Sequence, residues 1–147
     1  MTVLGMSCNV RNSRVTTRGV AIEGGQAWEA FVHRASADDD EALQLRLLRD
    51  AFETRLNDLT VQSVVIRTAD HHHAARLTKL VAFRLRAEGV LLATARSRFG
   101  VVQAMTGRAI AELLGMTKAE VEAMARGLLG PSHVDATCAV LAAEKLL

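Results

Sequence analysis

Apolar residues cluster in three short segments at the start of the chain, residues 2–6, 18–23 and 27–34, each rich in Val, Ile, Ala or Phe. Asn12-Ser13 separates the first pair and Gly24-Gly25 the second, and a tight Gly-Gly turn between two apolar runs predicts an antiparallel meander. The acidic run Ser36-Ala37-Asp38-Asp39-Asp40 then marks a helix start, where carboxylates meet unsatisfied N–H groups. Beyond it Leu43, Leu47, Leu48, Ala51, Phe52, Leu56 and Leu59 recur every three or four residues, so residues 41–59 read as a helix with one face on the sheet. Residues 61–66 read as a buried strand, 72–88 as a second helix stopped by Gly89, and 90–95 as another buried strand. Four more helices follow at 100–105, 109–114, 118–128 and 134–145, punctuated by Gly115, Gly130 and Pro131. The order β-β-β-α-β-α-β-α predicts one α/β domain over residues 1–147, a five-stranded mixed sheet flanked by helices, with right-handed later crossovers.

Composition narrows the class. With 147 residues, 50% of them hydrophobic, the chain can bury a core without disulfides. Cys8 and Cys138 lie at opposite ends with no CxxC spacing, which predicts neither a zinc site nor a disulfide framework and fits a reducing, cytoplasmic setting. No stretch has the length of a membrane span, and the first residues read as strand and not as a signal peptide, so no membrane partner is expected. The net charge of +2 does not by itself point to nucleic acid. Its placement is uneven: Arg67, Arg76, Lys79, Arg84, Arg86, Arg96, Arg98 and Arg108 face only Asp70 and Glu88 over the same stretch. These side chains either converge into a phosphate-attracting face or scatter over solvated helices. Aromatic content of 3% leaves few platforms for stacked bases, and Trp28 and Phe31 read as core or interface residues.

Several segments resemble one known family. Val3-Leu4-Gly5-Met6-Ser7-Cys8-Asn9 is similar to a first strand of the pattern hydrophobic-Gly-hydrophobic-Asp-Pro-Gly, and Thr17-Arg18-Gly19-Val20-Ala21-Ile22 to the strand after it. Ala104-Met105-Thr106-Gly107 looks like a Val-Thr-Gly motif, the stretch from Lys118 to Gly130 like Lys-x-x-Val-x-x-Met, and Asp135-Ala136-Thr137-Cys138-Ala139-Val140-Leu141-Ala142 like a last helix Asp-Ala-x-x-x-Ala-x-Ala. Together and in order they resemble the RuvC Holliday-junction resolvases, which implies a ribonuclease H-like fold and homodimerisation.

The resemblance also exposes what has changed. Relatives of this kind hold two divalent cations with clustered carboxylates, and the matching positions here are Ser7 for aspartate, Arg67 for glutamate and Ser132 for the remaining acidic or histidine ligand. Asp135 alone is kept, at the start of a helix whose Ala136, Ala139, Ala142 and Ala143 permit close approach to the sheet; it also reads as a carboxylate stabilising the helix dipole. A guanidinium at residue 67 opposes a metal by charge and cannot lose its proton, so an ion pair with Asp135 is expected. Glu23, Asp70, His133 and Asp135 could rebuild a site, with Asp135 and Asp70 the metal ligands, although Asp70 also suits a cap for the next helix. The run His71-His72-His73 reads as a solvated junction, because neighbours on a helix diverge by about 100°. Cys8 has no histidine tied to it and reads as a buried thiol.

Three functions follow. The first is a catalytically degenerate RuvC-like domain that binds branched or duplex DNA through Arg76, Lys79, Arg96, Arg98, Arg108 and Lys118, with no cofactor. The second is an active junction endonuclease with displaced carboxylates, using Mg2+ or Mn2+. The third is a protein-interaction or structural module.

Overall fold

The computed structural model describes residues 1–70 and 77–147. Strands β1 (Thr2–Arg11), β2 (Arg14–Glu23) and β3 (Gln26–Arg34) form an antiparallel meander; β4 (Val61–Thr68) and β5 (Val101–Thr106) extend the sheet in parallel, in the order β3-β2-β1-β4-β5. Helices α1 (Glu41–Leu56) and α2 (Lys79–Arg96) cover one face; α3 (Gly107–Leu114), α4 (Lys118–Leu129) and α5 (Val134–Lys145) cover the other. Among the described residues no helix is long and apolar enough to cross a membrane.

Alternation along β1 separates two cores, as the pleat requires. Leu4, Met6 and Cys8 point toward Phe52, Phe83 and Leu91, whereas Val3 joins Val65, Ile110 and the alanines of α5. Gly5 lies on the second face, under the α5 backbone. A Cβ built there would stand 2.1 Å from the Val140 nitrogen and 2.4 Å from the Ala136 carbonyl oxygen, so only glycine lets α5 settle at this depth.

The meander is longer than its apolar segments suggest. β1 runs on to Arg11 and β2 starts at Arg14, joined by Asn12 and Ser13 in left-handed conformation (φ 53° and 57°), the geometry of a two-residue hairpin turn. Fully buried Gln44 on α1 holds this turn. Its Oε1 accepts Val15 N–H at 3.1 Å, and its Nε2 donates to the carbonyls of Ser13 at 2.8 Å and Asp39 at 3.0 Å. Gln44→Leu leaves those backbone groups unpaired and should cost about 2–3 kcal/mol in urea unfolding. Unchanged stability would mean that the turn does not lean on α1.

Two segments differ from the expected pattern. Gly89 does not end a helix: α2 passes through it to Arg96, because Phe83, Ala87, Leu91 and Ala95 continue one buried stripe at four-residue spacing. Residues 90–95 are therefore helical. The fifth strand is instead Val101–Thr106, where the sequence pattern predicts a helix over 100–105; it sits at the sheet edge, where backbone pairing to β4 outweighs the missing alternation. Helix α1 stops at Leu56, one turn short of Leu59. The expected helix start at His72, the histidine run and Arg76 lie outside the described residues.

The remaining helix starts are capped as their sequences suggest. Asp40 accepts Leu43 N–H, Thr106 accepts Ala109 N–H, and Thr117 forms a reciprocal capping box with Glu120. Asp70 caps none of the following helix: Thr78 starts α2, accepting Val81 N–H.

Candidate nucleic-acid interface

β4 pairs with β1 only as far as Ser7 opposite Arg67, yet β1 continues four residues further. The β1–β2–β3 meander therefore projects beyond the rest of the sheet as a shelf. On its α5 side the register aligns Ser7 with Arg18, Asn9 with Thr16, Arg11 with Arg14, and Thr16 with Arg34. Opposed and alternate residues share a face, so these side chains form a lattice with spacings of ~5 Å across and ~7 Å along the strands.

The shelf floors a groove of about 500 Å³. Pro131, Ser132, Val134 and Asp135, at the entrance to α5, close one end. Arg84 arrives from α2 around the free edge of β1, where its carbonyl oxygen lies 3.9 Å from the Cys8 sulfur that donates to it. Among the described residues five arginines (Arg11, Arg14, Arg18, Arg34 and Arg84) thus surround one lining carboxylate, Asp135. Arg18 leans on Glu29 at 3.6 Å and Arg84 on Glu88 at 2.9 Å. Among the described residues Arg11, Arg14 and Arg34 have no acidic partner within ion-pair distance and are exposed. Of these five, only Arg84 falls in the basic stretch noted in the sequence. Arg14 and Thr16 escape a reading that starts the second strand at residue 18, which hides their alternation with Arg18.

Among the described residues the other basic side chains expected to bind do not line this groove. Arg96 and Arg98 lie at the C-terminal end of α2, bonded to the Gly100 carbonyl and the Asn57 side chain, at the far end of the sheet from Ser7. Arg108 pairs with Glu112 at 3.3 Å and Lys118 with Asp70 at 2.7 Å. Lys79 is exposed on the first turn of α2.

Ser7, Ser132 and Asp135 meet in the groove, but Arg67 turns away from it. Its guanidinium is 8% exposed and pairs with Asp70 at 3.2 Å, not with Asp135; it also donates to the Thr68 carbonyl and packs against Gly107. Asp70 is the counter-ion of a small cationic hub: it takes Arg67 and Lys118 on Oδ2 and the Arg108 N–H on Oδ1. Burial alone pushes this carboxyl up, but the Lys118 hydrogen bond, the Arg67 charge and the Arg108 N–H outweigh it and hold the pKa at about 2, below the usual 3.8. A depressed carboxylate stabilises the fold above pH 4 and loses that contribution as the pH falls through 2. Asp70→Asn should therefore cost about 2 kcal/mol at pH 7 and flatten the loss of stability between pH 4 and pH 2 in urea melts. A variant that tracks the parent through that window would remove the hub from the account.

Neither of the other candidate ligands considered completes a metal cradle among the described residues. Glu23 pairs with Thr2 at the opposite end of β1, and His133 is engaged by Glu29. Among the described residues no three His, Cys, Asp or Glu side chains come together in a group able to hold a metal ion. Among the described residues the donor set around Ser7, with one carboxylate, does not fit two divalent cations. The cysteines are inert: burial first, then the Glu88 charge, raises Cys8 to about 12, and burial followed by Asp135 raises Cys138 to about 11. Phe31 is core, tilted against Phe52, and Trp28 lies under the Arg55 guanidinium.

No family model and no curated protein matches the sequence. Solved structures do. RuvC of Thermus thermophilus in complex with a Holliday junction substrate superimposes with a TM-score of 0.68 at 22% identity, covering 99% of this chain and 94% of that one. A second Thermus thermophilus RuvC structure gives the same figures. The yeast mitochondrial Holliday junction resolvase matches more loosely, with a TM-score of 0.49, 8% identity and coverages of 97% and 75%. The five-stranded mixed sheet with helices on both faces, read together with the Thermus thermophilus match, gives this chain the RuvC-type, ribonuclease H-like fold.

Proposed function

We propose that the chain grips the phosphate backbone of branched or duplex DNA in the arginine-lined groove and lacks two-metal cleavage. The observation that carries this reading is the groove lining: five guanidiniums against one carboxylate, three of them without an acidic partner among the described residues. A RuvC of the same fold is bound to a Holliday junction, which favours a branched ligand. Among the described residues no aromatic side chain lines the groove, so the grip acts on phosphates independently of sequence. Homodimerisation belongs to the same proposal, with exposed Leu77, Leu80 and Leu85 at the start of α2 as the apolar surface available for it.

The test is fluorescence anisotropy with a labelled four-way junction and a matching duplex at about 50 and 200 mM salt, a range over which backbone binding weakens steeply. Binding that falls with salt, with no strand cutting on addition of Mg2+ or Mn2+, supports the proposal. Absence of binding even at low salt removes nucleic acid and favours the protein-interaction reading. Metal-dependent cutting that disappears in Asp135→Asn would establish an active nuclease with displaced ligands instead.

A further inference from the structure

Among the described residues Arg84 is the one groove arginine supplied by a helix. The other four stand on the strands of the shelf, so Arg84 forms a separate cationic wall facing them. One turn further along α2 lies Glu88, 4% exposed and therefore costly to leave ionised without partners. Its Oε1 accepts the Arg84 Nε–H at 2.9 Å and the Ala69 N–H at 3.2 Å. Taking Nε alone has a geometric consequence. The guanidinium plane is anchored on its inner edge, while Nη1 and Nη2 have no hydrogen-bond partner among the described residues. The backbone is pinned as well, because the Arg84 carbonyl receives the Cys8 thiol.

A planar donor fork held in place from behind suits two oxygens of one phosphate better than a freely rotating cation does. We propose that Glu88 is a positioning residue that presents the Arg84 Nη1/Nη2 edge as a preformed bidentate clamp for a single backbone phosphate, opposite the shelf. This rests on the nucleic-acid reading above and adds a specific contact to it.

Glu88 also braces the end of β4 through Ala69, so a single substitution does not separate positioning from bracing. A double-mutant cycle on four-way junction binding does. Arg84→Gln should weaken binding about tenfold and lower the salt slope by about 0.9. Glu88→Gln should weaken the parent protein by about three- to tenfold yet change almost nothing in the Arg84→Gln background. Arg84→Lys keeps the charge but not the fork; it should leave the salt slope intact while affinity falls about threefold, and it tests the clamp even if Glu88→Gln fails to fold. Equal losses from Glu88→Gln in both backgrounds, or Arg84→Lys binding like the parent, overturn the proposal while leaving the shelf as the binding surface. A parent protein that binds no junction at low salt removes both.

Discussion

Gly5→Ala should lower stability by at least about 3 kcal/mol, the upper end of overpacking costs, and bring thermal unfolding down by about 10 °C. The cause is backbone, not side chain. The added methyl would lie 2.1 Å from Val140 N, 2.4 Å from Ala136 O and 2.7 Å from Ala139 C, and none of these atoms can rotate away. Either β1 or α5 has to shift by about an ångström, in a core packed closely enough that such displacements propagate. Because α5 carries Asp135 into the groove, the shift should also disturb the groove's closed end. Gly89→Ala is the natural control. Nothing lies within 4 Å of a Cβ at that exposed position inside α2, so the same chemical change should stabilise by about 0.5–1 kcal/mol through helix propensity. Circular dichroism melts of the two variants should move in opposite directions; a Gly5→Ala melt equal to the parent's would contradict the close approach of α5.

The second large effect is expected on binding. Replacing Arg11, Arg14 and Arg34 by Gln together removes the three groove guanidiniums that have no acidic partner among the described residues. At about 0.9 per neutralised phosphate, the salt slope should fall by about 2.7, which at ~0.1 M salt corresponds to a loss of two to three orders of magnitude in junction affinity. All three positions are exposed, so stability should stay within about 0.5 kcal/mol of the parent. Arg96→Gln with Arg98→Gln, at the far end of the sheet, should change affinity little. The opposite ranking, with the α2 pair dominant, would relocate the interface to the other end of the molecule.

How much of this could be read from the chain differs by element. Helices α3 and α4 are legible because their ends are chemically marked: Thr106, Thr117 and Glu120 at the starts, Gly115 in left-handed conformation and Gly130-Pro131 at the stops. The middle is harder. Residues 90–95 form an apolar run whose period alone does not separate buried strand from buried helix, and the glycine before it suggested a stop that packing overrides. β5 carries no buried alternating face, so pairing with β4, a tertiary fact, is what makes it a strand. The resemblance implies that acidic ligands are replaced at residues 7, 67 and 132. The partner of Arg67 is not legible, because Asp70 and Asp135 are both plausible by charge and only the turn after β4 brings Asp70 within reach. The arginine shelf is hidden in the sequence for a specific reason: the apolar segments end short of the Asn12-Ser13 turn, and a second strand begun at residue 18 conceals the alternation of Arg14, Thr16 and Arg18.

The overhang of β1 past the end of β4 has a kinetic corollary. A charged tail must be ordered each time it captures a polyanion, whereas arginines on hydrogen-bonded strands anchored by Gln44 are in place beforehand. Encounters guided by such a fixed field approach the diffusion limit at low ionic strength, and dissociation is correspondingly brief once counterions compete. On the proposed DNA-binding reading, the fixed field favours rapid visits, with residence time set by whichever branched geometry fits both walls at once.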